Sequence, residues 1–168
     1  MEAQVARTTI LTLEMDRASQ EHFDRLRRQH YPAKLNVIAA HLTLFHTLPP
    51  HDEIAAVVAN AAGRTGFTMR VTGLRSLGRG VAFTLQSPEL LALHADLSTA
   101  FAPHLTAQDR QKFQPHVVVQ NKVKPEQSRV LLHRLQQGLV PFDVTATGLT
   151  IWNYLGGPWG RVGSTNFR

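Results

Sequence analysis

The chain has no cysteine, which excludes disulfides and thiolate chemistry and makes a cytoplasmic setting the default expectation. It also lacks any apolar run near the roughly 20 residues that a membrane helix requires. The stretch "MEAQVARTTILTLEMD" has no basic segment followed by an apolar one, so no secretory leader is expected. Glycine-rich phosphate loops are missing too: neither a P-loop nor a GxGxxG pattern occurs, which argues against ATP-driven or dinucleotide chemistry. Acidic residues are outnumbered, 12 against 18 Lys and Arg, and the formal charge of +6 favours anionic partners such as nucleotides or RNA. What remains is ordinary for a globular domain: 43% hydrophobic residues in a chain of 168, enough to bury one core.

The chain repeats itself. An offset of 75 carries "FTMRVTGL" (67–74) onto "FDVTATGL" (142–149) without a gap. The same offset sets Pro50 on Pro125, Gly63 on Gly138 and His41 on His116. Proline and glycine matches carry weight because they mark where helices start and chains turn. A fainter echo at offset 72 sets Thr12-Leu13 on Thr84-Leu85, His22 on His94 and Asp24 on Asp96. Three extra residues then fall within "APHLTAQDRQKFQP".

Local signals give each half the same order. "TTILTLEM" and "GVAFTLQ" read as strands. Asp16 and the Ser87-Pro88-Glu89 group are N-cap signatures for the helices that follow. "AHLTLFHTL" and "HVVVQNKV" read as strands, Pro50 and Pro125 open helices, and the two F…TGL blocks alternate as strands. The tail "TIWNYLGGPWGRVGSTNFR" reads as strand, Gly-Gly-Pro turn, strand. The expectation is one α+β domain over residues 1–168. Two related β-α-β-α-β lobes, about 8–78 and 80–160, would pack about a pseudo-twofold axis, with mainly antiparallel sheets lining a central groove.

Polar residues in two of these strands point to chemistry. Side chains alternate along a strand, so His41 shares a face with Thr43, and His116 with Val118. Histidines in equivalent places meet across a groove if the sheets face one another. Two opposed imidazoles suit phosphodiester chemistry: one takes a proton from the attacking oxygen and the other gives one to the leaving oxygen. The same parity nominates Phe45, Gln120 and Lys122 as further groove residues, with Tyr154 among the tail aromatics as a surface for a base. His46 and His51 follow His41 at steps of five, which reverse parity. No Asp or Glu joins the face of His41, so no metal site is expected. His94, with His22, His104 and His133, reads as a surface position, and Arg25, Arg27 and Arg28 as an exposed helix face.

On the paired motifs "HLTL" and "HVVV", together with "QPHVVVQNKV" and "WNYLGGPW", the chain resembles the two-histidine (2H) phosphoesterase superfamily. It is most similar to the bacterial branch of 2′-5′ RNA ligase-like proteins and RNA 2′,3′-cyclic phosphodiesterases. The resemblance implies catalysis by His41 and His116 on a 2′,3′-cyclic phosphate or a 2′-5′ linkage, without metal or other cofactor, with Thr43 donating to the phosphate. RNA ends or cyclic nucleotides are the implied partners; no membrane and no protein partner are expected, and the protein is read as a monomer. Val118 departs from the family pattern, since it keeps threonine's shape and loses the hydroxyl. A weaker enzyme, a binding module with catalysis lost, and a 2′-5′ RNA ligase all remain open at this level.

Overall fold

A computed structural model describes residues 7–168; residues 1–6, part of the stretch read above for a leader, lie outside the described residues. The element order is β1 (Thr9–Met15), α1 (Arg17–His30), β2 (Leu42–Leu48), α2 (His51–Ala61), β3 (Phe67–Ser76) and β4 (Val81–Gln86). Then follow α3 (Pro88–Phe101), a short 3-10 turn (Ala102–His104), β5 (His116–Gln120), α4 (Pro125–Gly138), β6 (Phe142–Tyr154) and β7 (Trp159–Asn166). Helix starts follow the local signals. The Asp16 carboxylate accepts from the Ser19 amide at 2.9 Å, and the Ser87 hydroxyl accepts from the Leu90 amide at 3.2 Å. Asp16 also accepts from the Thr145 amide at 2.8 Å, tying the first turn of α1 to β6.

All strand pairs are antiparallel, in the order β2-β1-β6-β3-β4-β5, with β7 beside β6. The α+β expectation holds, with one difference: the sheets are joined into one. The cause is the length of β6. Phe142–Ala146 pair with β3 on one edge, while residues 148–154 pair with β7 further along it. The other edge of β6 carries β1. The third strand of each half thus bonds to the first strand of the other, β3 also pairing with β4. Strands related by the sequence offsets take mirrored places: β2 with β5, β1 with β4, β6 with β3. The sheet curls until its outer strands, β2 and β5, approach within 8 Å although no ladder joins them.

One core holds Leu11, Leu42, Leu44 and Phe45 from the sheet with Phe23, Ile54, Leu90, Leu93 and Leu97 from the helices. Each such side chain stabilises by about 1.5–3 kcal/mol when fully buried. The opposite sheet face carries Thr12, Thr43 and Thr150. Where β4 begins, it lies so close to the end of β5 that a Cβ on Gly80 would stand 2.0 Å from the Gln120 carbonyl, so only glycine fits. Among the described residues no helix is long and apolar enough to cross a membrane.

Candidate active site

Two bulges shape the site. Leu11 pairs with Phe45 and Thr12 with Thr43, so Leu44 is an extra residue of β2; a second register shift follows between Phe45 and Leu48. Val81 pairs with Gln120 and Ala82 with Val118, so Val119 is the extra residue of β5. The two positions are 75 apart, the sequence offset itself. A bulge inverts the alternation beyond it. His41, Thr43, His116 and Val118 lie before it and share the partly exposed face. Phe45 and Gln120 lie after it and turn inward.

Three sequence expectations are corrected on this ground. Phe45 is fully buried and stacked on His94, with ring centroids 4.6 Å apart, so it offers no surface to a substrate. Gln120 is buried as well, and its Oε1 has no hydrogen-bond partner. Lys122 is not on the strand. β5 stops at Gln120, and Lys122 turns the chain at φ 62, its amide donating to the Asn121 side chain.

The histidines themselves are held in the same way. Nδ1 of His41 donates to the Ala39 carbonyl at 2.8 Å, and Nδ1 of His116 donates to the Gln114 carbonyl at 2.8 Å. In each case the acceptor lies two residues back and can only accept, so the neutral ring carries its proton on Nδ1 and leaves Nε2 bare. Burial lowers the pKa of His41 to about 4; the Ala39 carbonyl opposes this, and Arg27, His46 and His116 add to it. His116 is lowered by burial and, against the pull of the Gln114 carbonyl, by Arg75 and His46. Both rings are therefore mainly neutral at pH 7.

The walls come from several elements. Trp159 of β7 lies against His41 with ring centroids 4.7 Å apart, and Trp152 stands behind it at 6.0 Å. The Trp152 indole donates to the Thr12 hydroxyl at 2.9 Å. Tyr154 ends β6 opposite Trp159 in register and is 47% exposed. A cavity of about 390 Å³ opens beside His41, lined among others by Thr12, Gln20, Thr150, Trp152 and Arg161. A larger, mostly apolar one of about 530 Å³ between α1 and α4 is lined by neither histidine.

Two side chains read as surface groups are internal struts. Arg27 is 4% exposed and donates from Nη1 to the Val118 carbonyl at 3.1 Å and from Nε to Asn36 at 3.0 Å. His94 bonds the Leu44 carbonyl at 3.2 Å and stacks between Phe45 and Phe113. Both acceptors sit at the bulges, where the ladder leaves carbonyls to be satisfied from elsewhere. Sequence reasoning also missed Arg75, which had no local signal. It set His46 on the face opposite His41, because strand parity carries no sign of the bulge at Leu44.

The fold as a whole, helices and curled antiparallel sheet together, is similar to that of several solved structures. E. coli LigT complexed with 3′-AMP is 17% identical, with a TM-score of 0.58 over 96% of this chain and 98% of that one. TT0787 of Thermus thermophilus is 12% identical, with a TM-score of 0.63 over the same shares. A structure described as a phosphoesterase is 17% identical, with a TM-score of 0.60, again over 96% and 98%. No curated protein matches the sequence. Residues 15–158 match the 2′-5′ RNA ligase superfamily, and the chain belongs to it.

Proposed function

We propose that the protein is a metal-independent phosphodiesterase that hydrolyses a 2′,3′-cyclic phosphate on RNA ends or small nucleotides. The observation that carries this reading is the matched pair of imidazoles. His41 immediately precedes β2 and His116 begins β5, 75 residues apart as the sequence repeat is, with the same Nδ1 anchor and the same free Nε2. One Nε2 accepts a proton from water as its oxygen attacks phosphorus. The other, protonated, gives its proton to the ribose oxygen as the P–O bond breaks, leaving a phosphomonoester. Thr43, two residues from His41 on the same face, donates its hydroxyl to a non-bridging oxygen. LigT binds 3′-AMP, ATP and phosphate in its crystal structures, which supports a nucleotide ligand here. Trp159 against His41, with Tyr154 opposite it in register, offers an aromatic surface for a base. The mirrored strand order supports the division into two lobes about a pseudo-twofold axis.

Val118 favours a second reading, a nucleotide-binding module with catalysis weakened or lost. The test is turnover of an oligonucleotide ending in a 2′,3′-cyclic phosphate, in EDTA, by the native protein and by His41→Ala and His116→Ala. Turnover that survives chelation and falls by at least a hundredfold in each variant fits the proposal. A native protein that binds the oligonucleotide without turning it over supports the module. Joining of cyclic-phosphate and 5′-hydroxyl ends without added nucleotide would instead identify a ligase.

A further inference from the structure

The loop between α3 and β5, where the second half has its three extra residues, carries Asp109. Its side chain is 1% exposed, yet it belongs to no helix or strand. The carboxylate accepts from the His46 amide at 2.9 and 3.1 Å and from the Thr47 amide at 2.9 Å. It also takes a bond from Nδ1 of the His46 ring at 3.2 Å. Burial alone would raise its pKa; the bonds from the His46 ring and the two amides outweigh this and lower it, so Asp109 is ionised. β2 is an outer strand, and the amides of His46 and Thr47 find their acceptor in this side chain.

The bulge at Leu44 turns both Leu44 and Phe45 into the core and so brings His46 to the face of His41 and Thr43. The ring is 44% exposed. Nδ1 is taken by Asp109, which leaves Nε2 directed away from the carboxylate. His46 is among the groups that lower the pKa of His41 and of His116, as a smaller cause than burial. Among the described residues no set of three His, Asp or Glu side chains is arranged to hold a metal ion, so this grouping is not a metal centre.

We propose that His46, held by Asp109, is a third groove histidine that grips the substrate phosphate and stands in for the hydroxyl missing at Val118. The inference rests on reading His41 and His116 as an acid–base pair acting on phosphate. Asp109 holds Nδ1, and Nε2 is the atom left to meet a phosphate oxygen. Asp109 touches no substrate; it is a positioning residue acting through His46.

The experiment measures binding of adenosine 3′-phosphate and inorganic phosphate, and KM and kcat on the cyclic-phosphate oligonucleotide. The proteins are the native chain, His46→Ala, His46→Lys, Asp109→Asn and His41→Ala. His46→Ala keeps the Asp109 bonds to both amides, so its melting temperature serves as the check on folding. A charge-assisted hydrogen bond predicts affinity for both phosphates lower by about ten- to a hundredfold, with KM rising in step and kcat changing less. Asp109→Asn moves in the same direction, and His46→Lys recovers part of the affinity because a donor returns. Unchanged phosphate affinity and KM in His46→Ala, while His41→Ala loses turnover, overturns the role of His46 and leaves the acid–base pair standing. Turnover that survives His41→Ala overturns the pair instead, and the binding measurements still decide His46. A native protein that binds neither phosphate overturns the proposed grip outright.

Discussion

Replacing His41 by glutamine removes one titrating ring from the groove and should change how stability depends on pH. The folded pKa of His41 is about 4, against 6.5 for the ordinary side chain. A group whose folded pKa is depressed contributes stability above its unfolded value and loses it as the pH falls through the folded value. The window is therefore pH 6.5 down to 4. Over the whole window a shift of this size corresponds to about 3 kcal/mol, most of which has gone by pH 4.5. His116, His94, His22 and His30 are lowered too, so the native protein loses more than this in total. The difference between the native protein and His41→Gln isolates the His41 contribution, because the other groups and the carboxylates titrate in both. Urea denaturation at pH 7.5, 6, 5 and 4.5 measures it. The native curve should fall below the variant curve by about 2–3 kcal/mol across that range. Parallel curves would show that the His41 ring is not desolvated as its place between Trp159 and the strand implies.

Two further outcomes follow from the bulges and the missing hydroxyl. Val118→Thr adds a donor on the face of His116 with almost no change in shape. It should raise kcat/KM about tenfold or more in an active enzyme, with a larger gain in the His46→Ala background, where the phosphate has lost its other grip. No gain in either background would mean that the hydroxyl is not what the site lacks. Gln120→Met replaces a buried side chain whose Oε1 is unpartnered by an apolar one of similar length, and should stabilise by about 1–2 kcal/mol in urea. A loss of stability would show that Gln120 is satisfied by an ordered water.

The groove begins with both imidazoles neutral at pH 7, since burial lowers His41 and His116 alike. The acid needed for the leaving oxygen must then be created on binding, when the phosphate anion draws a proton onto the groove. Calorimetric titration of adenosine 3′-phosphate in buffers of different ionisation enthalpy should show net proton uptake at pH 7. Equal heats in all buffers would argue that a ring is already charged.

Helix starts at Asp16 and Ser87, the proline starts, the strand order in each half and the equivalence of His41 with His116 were legible in the sequence. Each rests on a cap, a turn residue or an alternation that acts within a few positions of itself. The tertiary structure alone decided what lies past the bulges. Parity along "HLTLFH" predicts Phe45 in the groove and His46 outside it, and the extra residue at Leu44 exchanges them; Val119 does the same to Gln120. A bulge is set by how two strands distant in sequence align while both fill one core, and no property of either strand by itself carries that register. The burial of Arg27 and His94 has the same origin, because their acceptors at Val118 and Leu44 exist only once those strands have paired. The joining of the two expected sheets through β6 depends likewise on a pairing between residues about 75 apart, beyond the reach of any local signal.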